Sequence, residues 1–501
     1  MKSISKTVKI VISVVIGVLL IAGIGGAAYY FFTKNTPKNT YLLSEKETAN
    51  QFQEYAKDRF ENEFKFQDKM KDESYLIDLK ANADVPKNLL ESSGIPKSVA
   101  DASEIGLTVG HDPKKEKSIL ALNPTIADNE IGKFQWAADK DNQYYASPLF
   151  NDIYKAKNDE LVDVYEKITG DTSSTTGKES VLTNDTLNLN SLLSGSQISQ
   201  KDIEKLSSKY TDVVIDKLDK DNFEKENATI DVDGDEKDVK KVTLKLSKGE
   251  TKAIVKSVLE KAKKDKDIKK IAEDQFKTED YEDKIDEAIQ EVKDQDKNDF
   301  PSIKSVIWEE DNLILKRELT AKDKNDSEVK LTGTNQIDDD KLAMNYKITA
   351  DDTELSLKGK STKDDDKYKD NYTIGANESY KKSTIKLSNN ETQDGDKRTD
   401  KGKVSVDANY RKTEFEYNNN LETDVKNNTQ KQDFKLTTDV QYQPVTFNIK
   451  GETKLKDDIK FEKSGAEDLN ELSDSDLKKL QKEISKKAEG IVKDLAKDFK
   501  K

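Results

Sequence analysis

The strongest constraint on this chain is a period of two. From about residue 305 to residue 462, apolar and polar residues alternate almost without a break. Leu342, Met344, Tyr346, Ile348 and Ala350 show it most plainly. Successive side chains of a strand point to opposite faces, so the pattern demands a long antiparallel meander with one apolar and one solvated face. Positions of the same parity share a face. Met344, Tyr346, Ile348, Tyr410, Phe415, Tyr417, Phe434 and Phe447 are therefore expected on one side of the sheet, as candidate ligand-facing residues. Burying each large side chain contributes on the order of 1.5–3 kcal/mol. Helices, the other domain or a ligand must then cover that face.

Helical material flanks the meander. Ser44-x-x-Glu47 reads as a capping box opening a helix with Phe52, Tyr55, Phe60 and Phe64 on one side. Tyr75, Ile77, Leu79 and Ala81 return to period two, and strands are expected near 105–109 and 118–122. Phe134, Trp136 and Ala138 precede the turn Asp139-Lys140-Asp141-Asn142, and Tyr144 begins a return strand, giving a hairpin. A helix over 149–168 and a Gly/Ser/Thr-rich linker at 170–180 end a first α+β region, 44–180. A second α+β region, 181–501, holds a hairpin at 228–246, a helical block to about 293, the meander, and a C-terminal helix over about 474–499.

Residues 10–32 are 23 uncharged residues, long enough to cross a bilayer as a helix. Lys2, Lys6 and Lys9 precede them with no acid, which sets residues 1–9 in the cytoplasm and the bulk outside. The reading is a transmembrane signal anchor with a tether at 33–43; cleavage after Gly26-Ala27-Ala28 is the competing one. The expected location is the cell membrane, single-pass, with an extracytoplasmic C-terminal bulk. The net charge is −14, and the part beyond the basic N-terminus is near −19, which repels nucleic acid. There is no cysteine, so neither a disulfide nor a lipid-modified cysteine exists.

Motifs that carry chemistry are few in this chain. His111 is the chain's one histidine and reads as a solvated loop residue without a metal-sharing or nucleophilic partner. Ser379-x-x-Lys382 and Ser383-x-x-Lys386 match the first element of serine–lysine catalysis, but no Lys-Thr-Gly accompanies them. Asp231, Asp233, Asp235 and Asp238 approach a calcium-loop spacing, yet the glycine sits at the wrong position and no closing glutamate follows. No catalytic residue, metal site or cofactor is expected.

The anchor, the junction TPKNTYLLSEKETA (36–49), the hairpin FQWAADKDNQYYASPLF (134–150) and IWEEDNLILKREL (307–319) resemble a family of single-pass, membrane-anchored extracytoplasmic proteins of Gram-positive bacteria. That resemblance implies no activity. The segment 228–263 is more loosely similar to bacterial envelope lipoproteins in which helices cover an antiparallel sheet, some holding lipids between the layers. The expected fold is α+β: an N-terminal transmembrane helix followed by an ectodomain of large antiparallel sheets covered by helices. The expected function is a non-enzymatic, membrane-anchored binding or scaffold protein of the cell envelope. Its partner would be a lipid-like or hydrophobic ligand held against the sheet, or another envelope protein. The alternative is a surface hydrolase using carboxylate or Ser–Lys chemistry.

Overall fold

The computed structural model describes Ser13 and residues 35–170, 183–194, 200–232, 234–276, 280–379, 381–408 and 411–498. The chain falls into two compact units, each assembled from separated stretches. The first holds residues up to 61, 198–390 and 404–412; the second holds 62–197, 391–403 and 413–501.

In chain order the early strands of the second unit are β1 (Tyr75–Asp84), β2 (Glu104–Asp112), β3 (Lys117–Ile126), β4 (Asn129–Glu130), β5 (Phe134–Ala138), β6 (Asn142–Ala146) and β7 (Tyr154–Lys157). They pair antiparallel in the order β1-β2-β3-β5-β6-β7. The β5–β6 turn at 139–141 is closed by Asp139, whose side chain accepts the amides of Asp141 and Asn142.

The first unit then runs as a meander. Its strands are β8 (Phe223–Val232), β9 (Asp235–Leu246), β10 (Ser302–Glu310), β11 (Leu313–Lys322), β12 (Glu328–Asp338), β13 (Lys341–Ala350), β14 (Thr353–Asp364), β15 (Lys367–Glu378) and most of β16 (Lys381–Asp394). From β8 to β15 each strand pairs antiparallel with the next. Of the aspartate cluster, Asp231 lies near the end of β8, and Asp235 and Asp238 lie on β9, flanking the hairpin turn. Gly234 adopts φ +95, open to glycine at no steric cost, and its amide donates to the Asp231 side chain at 3.1 Å. Asp233 lies outside the described residues.

β17 (Lys397–Ala408), β18 (Arg411–Asp424), β19 (Thr429–Val440), β20 (Gln443–Leu455) and β21 (Glu467–Asp468) complete the strands. In the second unit β18 pairs with β19 and β19 with β20. β20 then pairs with β1 over Tyr75↔Leu455 to Asp84↔Thr446, and short β21 lies parallel to β7.

Within the second unit the early strands and the late strands β18, β19 and β20 join one hydrogen-bonded sheet through the β20–β1 pairing. This corrects the expected set of large sheets covered by helices. Alternation specifies strands but not which distant strands meet, and the β20–β1 pairing merges the early and late groups. The helical cover is also partial. On the described strands Ile348, Leu355 and Ile374 keep 38%, 47% and 50% of their surface exposed, and Ile105, Leu122 and Phe447 keep 56%, 46% and 43%.

The expected transmembrane helix and the single-pass cell-membrane placement are likewise corrected. Among the described residues no helix is long and apolar enough to cross a membrane. The run 10–32 that motivated both lies outside those residues, Ser13 excepted.

The first described long helix, α1 (Pro37–Arg59), starts before the expected capping box. Thr36 is its N-cap, accepting the Asn39 amide at 3.2 Å, and Pro37 fills the first turn, where its missing N–H is harmless. Residues 37–43 of the expected tether are thus helical, and Ser44 is buried inside the helix with its hydroxyl on the Thr40 carbonyl.

The stripe Tyr41, Glu45, Thr48, Tyr55 and Arg59 is polar, and it crosses strands of its own unit through polar contacts. Tyr41 donates to Ser305 at 2.7 Å, Glu45 meets Arg317 at 2.9 Å, and Thr48 accepts the Ile314 amide at 2.8 Å. Tyr55 reaches Ser361 at 2.8 Å, and Arg59 grips Asp370 with two bonds of 2.9 and 2.6 Å. The apolar core lies beside this line, where Val242, Leu244, Ile303, Ile307 and Leu319 meet helical residues such as Val214, Ile254, Leu259 and Val292.

Candidate functional site: the uncovered apolar face

The sequence-expected ligand-facing residues divide between the units, and Tyr410 lies outside the described residues. In the first unit, register aligns Gly333, Tyr346, Leu357 and Ile374 in one row. Leu331, Ile348, Leu355 and Ala376 form the next row on the same face, and Asn335, Met344, Gly359 and Tyr372 the row beyond Tyr346. The glycines matter here. A Cβ on Gly333 would overlap the Tyr346 ring, and one on Gly359 the Tyr372 ring, so each ring lies flat across its neighbour strand. The Tyr346 hydroxyl bonds Asn335 at 2.5 Å. Tyr346 is half-buried, whereas Ile348 is exposed.

In the second unit Phe415, Tyr417, Phe434 and Phe447 share one face. Tyr417 is opposite Leu436, and Leu436 is opposite Phe447. Phe415 pairs with Thr438 and Phe434 with Asn419 in the adjoining rows. The Tyr417 and Phe434 rings stack with centroids 6.5 Å apart.

The register carries this face onward through β20, β1 and β2. Phe434, Ile449, Ala81 and Ile105 make one row; Gly451, Leu79, Leu107, Leu122 and Phe134 make the next. The helix α2 (Glu61–Asp72) covers only one end, where Phe66 and Met70 pack on Tyr75, Ile77, Val109 and Leu455. Past α2 the apolar rows stay half-exposed or exposed. Sequence reasoning missed Leu107, Leu122 and Ile105 as part of this surface, because only pairing of β1 with β20 extends it there.

The other candidates resolve differently. Ser383 and Lys386 both lie on β16, where three residues' separation puts them on opposite faces; Ser-x-x-Lys chemistry needs a helix there. A cleft of about 840 Å³ in the first unit is polar, lined by Asn35, Thr40, Lys225, Thr229, Asp238 and Glu309 among others. Among the described residues no group of His, Asp and Glu could hold a metal ion.

His111 corrects its expected place in a solvated loop. It is the penultimate residue of β2, with 4% of its surface exposed. Its Nδ1 lies 2.8 Å from Ser118 Oγ, and its Nε2 lies 3.4 Å from Ser194 Oγ on the short helix Leu189–Ser194. Burial pushes the imidazole below its ordinary pKa, with only Asp112 pulling the other way. No sequence signal tied residues 111, 118 and 194 together, since the contact spans 83 positions.

No family model matches the chain, and no curated protein matches it. Among solved structures, OccAB4 of Acinetobacter baumannii aligns at 8% identity and TM-score 0.23, covering 77% of this chain and 98% of that one. Pseudomonas aeruginosa OpdO aligns at 6% identity and TM-score 0.18, covering 77% and 97%. At these TM-scores neither likeness carries an argument about this chain.

Proposed function

We propose that this protein binds a lipid-like amphiphile, holding its hydrocarbon against the apolar face of the second unit. One observation carries the reading: the rows through Phe434, Ile105, Leu107 and Leu122 continue past the cover of α2 as a connected, half-exposed apolar surface. Scattered apolar residues on a surface need no explanation, but a contiguous patch does. A methylene laid on such a face gains up to about 0.8 kcal/mol, less where one side stays wet. An extended chain parallel to the strands fits rows spaced along them.

Fluorescent fatty-acid binding to the purified chain tests this, together with mass spectrometry of co-purifying amphiphiles. Ile105→Asp and Leu122→Asp alter exposed positions, so the fold should survive. Each should weaken binding about tenfold, as expected for about 1.4 kcal/mol of lost contact. A chain that binds no amphiphile, or binds equally well in both variants, would remove this reading.

A further inference from the structure

We propose that Ser194 is a nucleophile served by His111 as its base, and that its substrate class is an ester of a long-chain acyl group. The nucleophile stands on geometry alone; the acyl class rests on the proposed apolar binding surface.

Hydrogen bonding fixes the tautomer of His111. The Asn190 amide nitrogen donates to two carbonyls, Glu116 O at 2.7 Å and Asp139 O at 3.0 Å. Its Oδ1 is thereby an acceptor, and it takes the Ser118 hydroxyl proton at 2.6 Å. Ser118 has one proton to give. Toward His111 it must accept, so the imidazole hydrogen sits on Nδ1. The Nε2 lone pair then faces Ser194 Oγ. Ser118 is fully buried, so water does not compete for this alignment. Ser194 is exposed, at the last position of its helix. Its hydroxyl also reaches the Asn190 carbonyl, and rotation about one bond turns the proton from that carbonyl to Nε2. A nucleophile, a base within reach and a group orienting the base are the working parts of covalent catalysis, and the nucleophile–base distance commonly tightens only with substrate bound. The lowered pKa of His111 keeps it neutral and able to accept a proton near neutral pH.

The chemistry balances without a further reagent. Ser194 Oγ adds to the ester carbonyl carbon as its proton passes to Nε2. The carbon–alkoxide bond then breaks, and Nε2 returns the proton to the leaving oxygen, giving acyl-Ser194 and an alcohol. Water, deprotonated by Nε2, releases the acid and restores the serine.

The surroundings select the acyl group. His111 is opposite Ser118, Val109 opposite Leu120, and Leu107 opposite Leu122, all on one face. From Ser118 to Leu122 the strand advances about 13 Å. The strip leading from the Ser194 end is thus apolar, runs under the edge of α2 at Val109 and opens at exposed Leu122.

The test treats the full chain with a fluorophosphonate probe and maps the adduct by mass spectrometry. Labelling is expected at Ser194, to vanish in Ser194→Ala and to slow about 100-fold in His111→Gln. In the unmodified chain the labelling rate should follow the His111 titration read by NMR, a readout that does not depend on any variant folding. Ser118→Ala, a positioning change, should shift that pH profile. Nitrophenyl dodecanoate should be cleaved faster than nitrophenyl acetate. No adduct at Ser194, or labelling indifferent to the His111 titration, overturns the nucleophile. Normal labelling with equal cleavage of both esters overturns only the acyl class, and with it weakens the apolar reading of the strip.

Discussion

At the scale of single residues, the side chains that define this protein are polar ones held away from water. Arg59 and Asp370 show what such placement needs. Burial opposes ionisation of Asp370, but hydrogen bonds from Arg59 and Ser361, with the Arg59 charge, outweigh it and hold the carboxyl below its usual range. For His111 burial outweighs the nearby Asp112 charge, so its pKa falls. With a folded pKa below the unfolded value of about 6.5, the unfolded chain binds more protons through that interval. Stability from this group is complete above the unfolded pKa, is lost as pH falls toward the folded one, and is flat below it. The single imidazole resonance of the chain should therefore titrate below the free value. Denaturant midpoints should fall across the same window, and His111→Gln should flatten that part of the profile. Titration at or above the free value would contradict the burial argument. None of this was legible in the string VGHDPKKEK, which reads as loop. Burial of His111 comes from the helix at 189–194, and the register placing it there is a tertiary fact.

At the scale of elements, local chemistry carried further. The hairpin at 134–146 and the alternating strands from 342 onward form where period two and turn residues put them. The start of α1 lies upstream of the expected Ser44-x-x-Glu47 capping box, at Thr36-Pro37. A serine inside a helix can satisfy itself on the carbonyl four residues back, as Ser44 does. Only the first site leaves amides to satisfy. Thr36→Ala should cost about 1 kcal/mol by denaturant unfolding and speed hydrogen exchange in the first turn of α1. Ser44→Ala should leave that exchange unchanged. The reverse order would show that the helix really begins at the later site. The polar stripe of α1 was also unreadable as a packing face, since sequence patterns look for apolar stripes. Here Glu45, Thr48 and Arg59 pair with Arg317, the Ile314 amide and Asp370 instead.

At the scale of the whole molecule, what sequence reading lacked was pairing between distant stretches. Its regions at 44–180 and 181–501 follow composition, whereas the second unit draws β1 from near the start and β20 from near the end. Ten residues of β1, Tyr75 to Asp84, register against β20, so the late strands are completed by a partner more than 350 positions earlier. This ladder has a consequence for dissection. A fragment of residues 181–501 keeps β18, β19 and β20 but leaves the β1 side of β20 unpaired, exposing a row of backbone donors and acceptors beside Phe447 and Ile449. Such an edge invites pairing with other chains. The fragment should aggregate, or show broad non-cooperative unfolding, while residues 35–498 unfold with sharp transitions. Adding residues 44–180 during refolding should recover part of the protected amides on β20, read by hydrogen exchange. Pairing across such a separation also closes a long loop, so refolding of the intact chain should be slow relative to its local hairpins. A fragment 181–501 that stays monomeric, with β20 amides protected as in the intact chain, would show that β1 is dispensable. The extension of the apolar face from Phe447 to Leu122 would then lose its structural basis.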